Sequence, residues 1–168
     1  MRWLGCLLIA LTGAGMGVYG AHRLHRQATY IQQTVRVLQA LERQLPYTAL
    51  PMADLWRRLA ASEAYDDCRL LRDTAATLPD VPFSAAFGAA VERAEQEGLL
   101  TPAGCGLLLE FGGGCGRYDL IRQTEHIRHY RCQLEDLSKD LSLTAMLRGR
   151  LYRVAGTAGG VALALLLL

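Results

Sequence analysis

Two segments without a charged side chain lie near the two ends of this chain, and they restrict its possible folds more than anything between them. The stretch 3–21 reads WLGCLLIALTGAGMGVYGA, and as a helix its 19 residues rise about 28 Å, close to the thickness of bilayer hydrocarbon. The other stretch, 154–168, is wholly apolar or small, but its 15 residues rise only about 22 Å. Leu151 and Tyr152 lengthen that span if Arg153 snorkels to the headgroups. A helix lying in the interface needs a polar face, and AGTAGGVALALLLL has none. For the first segment a cleaved leader is the competing reading, with Arg2 as a short basic region and Tyr19-Gly20-Ala21 as a small-residue cleavage site; the length and flanks favour a retained span. Gly13, Gly17 and Ala21 in the first segment, and Gly156 and Gly160 in the second, recur at four-residue spacing, which would let helix backbones approach closely in lipid.

The charges fall in a pattern that follows these segments. The chain has 18 basic and 16 acidic residues, but residues 30–145 hold 12 basic against 16 acidic, a net of −4. Arg23, Arg26, Arg148, Arg150 and Arg153 flank the apolar segments on their inner sides, against Arg2 alone outside the first. By the positive-inside rule the middle is expected to be cytoplasmic, with both termini across the membrane. An acidic body with basic collars points to a membrane surface rather than nucleic acid. The expected organisation is a first transmembrane helix at 1–22, a cytoplasmic helical bundle at 23–150 and a second transmembrane helix at 151–168.

The middle shows helical periodicity broken by Pro and Gly. Ile31, Val35, Leu38, Leu41 and Leu45 form one apolar stripe on a helix over 29–45. Pro51 suits the start of a second helix with Leu55, Trp56 and Leu59 as core candidates. Further helices are expected over 65–78, over 83–97, and after the N-cap pair Thr101-Pro102. The last of these is expected to be short, because Phe111-Gly112-Gly113-Gly114-Cys115-Gly116 is too rich in glycine to sustain a helix. Asp119 would cap the final helix, a long arm over 120–147 with Leu120, Ile127, Leu134 and Leu141 seven residues apart. The fold class is all-α, an antiparallel helical bundle between two terminal transmembrane helices.

No constellation for catalysis stands out, and no catalytic, cofactor or metal site is expected. The glycine run is followed by Arg117-Tyr118 rather than Lys-Ser or Lys-Thr and follows no strand, which excludes a phosphate loop. His126, His129 and Cys132 recur every three residues, but they drift around the helix and lack a fourth ligand, so a solvated face is the better reading. Five cysteines without paired spacing read as small hydrophobes in a reducing compartment. Trp56, Tyr47 and Tyr118 read as core or interface anchors.

Two motifs give the chain a family resemblance over essentially its whole length. Leu41, Glu42, Leu45 and Tyr47, followed by Pro51, match a signature of the form L-E-x-x-I-x-Y with a nearby proline. Phe111, Gly112, Gly116, Asp119 and Gln123 match F-G-x-x-L-G-x-x-D-x-x-x-Q, with Cys115 where an aliphatic residue is usual. In these residues the chain resembles the stage III sporulation protein AB family of endospore-forming bacteria. The resemblance implies a non-enzymatic subunit of a mother-cell membrane complex facing the forespore, with a body similar to the helical domains of the type II secretion platform protein. Its implied partners are other stage III sporulation membrane proteins and a cytoplasmic ATPase. Gly112, Gly116 and Asp119 are expected to shape and cap an interhelical corner, and Gln123 to touch a partner. A generic membrane-tethered adaptor is the alternative.

Overall fold

A computed structural model describes the backbone of residues 2–48, 50–116 and 119–166, and the side chains of 22–48, 50–116 and 119–147. The described residues are mostly helical and contain no strand. The α-helices run Arg2–Gln44 (α1), Met52–Ala60 (α2), Arg69–Thr77 (α3), Phe83–Gln96 (α4), Pro102–Gly114 (α5) and Leu120–Leu166 (α6). Gln27–Lys139 form one compact unit, and Met1–Arg26 with Asp140–Leu168 form another. Among the described residues no helix is long and apolar enough to cross a membrane. The side chains of the uncharged segments 3–21 and 154–168, with Gly13, Gly17, Gly156, Gly160 and the arginines at 148, 150 and 153, lie outside those described. Tyr118 lies outside them too.

In the compact unit, α1 is the central element. Ile31, Leu38 and Leu41 are fully enclosed and Val35 and Leu45 nearly so, as their helical spacing predicts. Tyr30, Thr34 and Val37 are buried on a second stripe, so the helix is covered over a wide arc. Gln27 fastens it to the turn after α4, its Nε2 donating to the carbonyl oxygens of Gly98 (3.1 Å) and Leu100 (3.4 Å). That turn needs a glycine. Gly98 has φ +72°, and the Leu99 N–H reaches back to the Ala94 carbonyl at 2.9 Å, closing α4 with a left-handed cap.

Short helices α2 to α5 pack through aromatic rings. Trp56 is fully buried, meets Phe83 and Phe87 edge-on at 5.3 and 5.5 Å, and donates its indole N–H to the Leu71 carbonyl at 3.2 Å. Phe87 then meets Phe111 at 5.6 Å, and Phe111 stacks on His126 at 5.6 Å, so a row of rings crosses from α2 to α6.

Helix α5 corrects the reading of the glycine run as a helix breaker. It continues through Gly112, Gly113 and Gly114. Tertiary packing overrides propensity here, because a Cβ on Gly112 would stand 2.6 Å from Phe87 Cδ1, and one on Gly114 would strike the His126 ring. The glycines admit two rings to the helix surface. Thr101 caps α5 as its sequence predicts, accepting from the Gly104 N–H at 3.1 Å. On α6 the buried positions within the compact unit are Gln123, Ile127, Leu134 and Ser138, whereas Leu120 is half-exposed. The heptad seam therefore starts one turn later than the leucine spacing predicts.

Candidate functional site

The residues of the first motif end α1 and lead into α2. Leu41 and Leu45 face the core, while Glu42, on the flank of that stripe, meets α6. Its carboxylate accepts from Arg128 Nε at 2.7 Å and from Arg131 Nε at 2.9 Å. Partial burial would push the Glu42 carboxyl up, but the hydrogen bonds and charges of the two guanidiniums outweigh it and hold it below its ordinary 4.5. Arg131 also pairs with Glu135, which accepts from Gln39 Nε2 at 3.0 Å. The resulting row of polar groups ties α1 to α6. Tyr47 is 90% exposed, so it is no core residue. Pro51 stands at the N-cap of α2, its carbonyl accepting from Asp54 and Leu55 at 3.0 and 3.1 Å.

The second motif makes the corner between α5 and α6. Phe111 is fully buried, and Gly112 lies against Phe87. Gly116 has φ +81°, a conformation side chains seldom adopt. Asp119 sits directly before α6, its carbonyl accepting the Gln123 N–H at 2.8 Å and its carboxylate 3.9 Å from Arg122 in an exposed pair. Gln123 corrects the expectation of a partner contact: it is 5% exposed, and its Oε1 accepts the Gly116 N–H at 3.2 Å. Its role in this fold is to hold the corner from within. A polar side chain one turn into a helix satisfies a backbone donor that the left-handed glycine turns inward.

The His126, His129 and Cys132 series does not converge. His126 is stacked on Phe111 with Nε2 3.1 Å from the Phe111 carbonyl oxygen, and His129 lies beside Gln133. Among the described residues no group of His, Cys, Asp or Glu side chains is placed to hold a metal ion. Burial pushes the thiols of Cys68 and Cys105 up to about 11 and that of Cys115 up to about 12. Cys132, by contrast, is exposed, which departs from the reading of the five cysteines as small hydrophobes and agrees with the reading of its helix face as solvated; Cys6 lies outside the described side chains.

Sequence reading missed the arginines that receive Glu42. A signal was present, since Arg128, Arg131 and Glu135 fall at three- and four-residue spacing on one helix face. Their partner on α1, 86 positions from Arg128, could not be read from spacing.

The two motifs thus serve one end of the compact unit, where α1 stops and α6 starts, joined by Glu42 and its arginines. The class this defines is an all-helical protein whose first and last helices are held together by a polar row. The chain matches the family model of stage III sporulation protein AB over residues 2–168, and it belongs to that family. This family is one of sporulation structural proteins and not a known enzyme family. No curated protein and no solved structure matches the chain.

Proposed function

We propose that this chain is a membrane-anchored, non-enzymatic assembly subunit of the stage III sporulation apparatus, held by lipid at 1–22 and 151–168. Its body lies on the cytoplasmic side of the mother-cell membrane facing the forespore, where it docks a cytoplasmic ATPase beside other stage III membrane proteins. The observation that carries the reading is the reach of α1 and α6, which run as unbroken helices over Arg2–Gln44 and Leu120–Leu166. Each therefore joins a packed body to a segment without charge, with arginines at the junction. In lipid only helices or closed barrels satisfy the backbone, so a continuous helix is what such a segment requires.

Affinity purification of the full chain from membranes of sporulating cells tests this reading. Recovery of the chain in the carbonate-resistant membrane fraction, together with the ATPase and other stage III membrane proteins, is expected. Recovery of the intact chain in the soluble fraction without those proteins would refute it.

A further inference from the structure

The polar row built on Glu42 holds the two helices together but leaves the side chains next to it facing solvent. Tyr47 is the most exposed of the large apolar side chains described, at 90%. It does not hang on a slack loop. Pro46 precedes it in a 3-10 turn, and Thr48 clamps the turn from the other side, its N–H and Oγ1 both donating to the Gln44 carbonyl at 3.1 and 2.8 Å. Concavities of about 310 and about 470 Å³ lie beside it, and Arg43 and Tyr47 border both. Arg58 and Tyr65 line the smaller, Thr124 and Arg128 the larger. Ile121 is 71% exposed and falls on the same face of α6 as Thr124 and Arg128.

Charge at this place runs against that of the body around it. Residues 30–145 net −4, yet Arg43 and Arg58 are exposed and neither is paired with a carboxylate among the described residues. Arg128, 64% exposed, uses its Nε on Glu42. We propose that this face, centred on Tyr47 between Arg43, Arg58 and Arg128, docks an acidic segment of a protein partner that carries aliphatic or aromatic side chains. The inference rests on the reading of the chain as a docking subunit and adds to it the face and the chemistry of the partner.

The choice of occupant follows from composition. Tyrosine and arginine are, with tryptophan, the side chains enriched where protein interfaces concentrate their binding energy, since both offer a large flat surface with a polar end. A nucleic-acid backbone needs a stripe of positive charge along its path, and an acidic body offers none. Binding to anionic lipid headgroups takes a cluster of basic side chains beside a membrane segment, which the collars at 23–26 and 148–153 supply and this face does not.

Fluorescence anisotropy of the full chain in dodecyl maltoside tests the proposal. The probes are a labelled peptide repeating Glu-Glu-Leu-Glu-Glu-Phe, the same peptide with lysine in place of glutamate, and a labelled single-stranded DNA oligonucleotide. The acidic peptide is expected to bind the wild-type chain, with affinity falling about tenfold or more in Tyr47→Ala and in the double variant Arg43→Glu with Arg58→Glu, as for the loss of an interface anchor. Arg72→Glu, exposed on α3, is the control and is expected to leave binding unchanged. No binding of the acidic peptide, equal binding of the lysine peptide, tighter binding of the oligonucleotide, or an equal loss in Arg72→Glu each overturns the proposal. So does a wild-type dimer in gel filtration that the double variant converts to monomer, which would assign the face to a second copy. Purification of the same variants from sporulating membranes separates this inference from the function it rests on. Variants that retain the ATPase as wild type does sink the face alone, whereas failure of wild type itself to retain any stage III protein sinks the docking reading.

Discussion

Adjacent glycines in the last turn of α5 should respond to alanine with opposite signs. At an ordinary helical position the exchange of glycine for alanine stabilises by roughly 0.5–1 kcal/mol, because the unfolded chain loses freedom. Gly113 is such a position, exposed and with nothing within 4 Å of a Cβ. Gly112 is not. Its Cβ would lie 2.6 Å from Phe87 Cδ1, and the Phe87 ring, fully buried, is held by Trp56 at 5.5 Å, Phe83 at 5.6 Å and Phe111 at 5.6 Å. A ring so enclosed cannot withdraw without moving its neighbours, and overpacking of that kind costs about 1–3 kcal/mol. After a helix gain of about 0.5 kcal/mol is subtracted, Gly112→Ala should destabilise by about 0.5–2.5 kcal/mol while Gly113→Ala stabilises by about 0.5 kcal/mol. Urea unfolding of the full chain in detergent, followed by far-ultraviolet circular dichroism and tryptophan fluorescence, measures both. Adding Phe87→Leu to Gly112→Ala should cost less than the sum of the two single changes, since the smaller side chain gives the new methyl room. Equal stabilisation by the two alanines, or strict additivity with Phe87→Leu, would refute the close approach of ring and helix.

Further outcomes follow from the same contacts. Trp56→Ala should destabilise by about 3–5 kcal/mol in the same urea assay, as it empties the centre of the aromatic row and removes the indole hydrogen bond to the Leu71 carbonyl. Glu42 is held below its ordinary 4.5 in the folded chain, so its ion pairs stabilise above about that pH and are lost as pH falls through the lower folded value. Glu42→Gln should therefore be less stable than wild type at neutral pH, with the difference shrinking below pH 4.5 in a series of urea titrations. Iodoacetamide at pH 8 should modify Cys132 quickly and Cys68 and Cys105 slowly, because burial keeps the latter two thiols protonated, and peptide mass spectrometry reads the rates directly.

Much of this architecture is written in local pattern. The stripe from Ile31 to Leu45 and the trio Leu55, Trp56 and Leu59 are buried as their spacing predicts, since a helix face needs only the order of residues along one segment. Features set by distant residues were not legible. Whether Gly112 breaks or continues a helix is decided by Phe87, 25 positions earlier on another element, and propensity alone gives the wrong sign. Gln123 looks in sequence like a solvent-facing contact residue; its burial depends on Gly116 turning its N–H inward. Tyr47 reads as a core or interface anchor by residue type, and a turn fixed by Pro46 and Thr48 presents it to solvent, which excludes the core. The motif residues themselves divide accordingly, with Leu41, Phe111 and Gly112 serving the core, Glu42 and Gln123 holding helices together, and Tyr47 exposed to solvent.

Thiol labelling in intact cells measures the proposed anchoring most directly. In a Cys6→Ser variant expressed in a bacterial inner membrane, Cys132 is the exposed thiol among those described. A membrane-impermeant maleimide should leave it unmodified in intact spheroplasts and modify it once the membrane is permeabilised, with the chain resisting carbonate extraction throughout. Modification of Cys132 in intact spheroplasts, or release of the chain by carbonate, would contradict a body tethered on the arginine-rich side of the membrane.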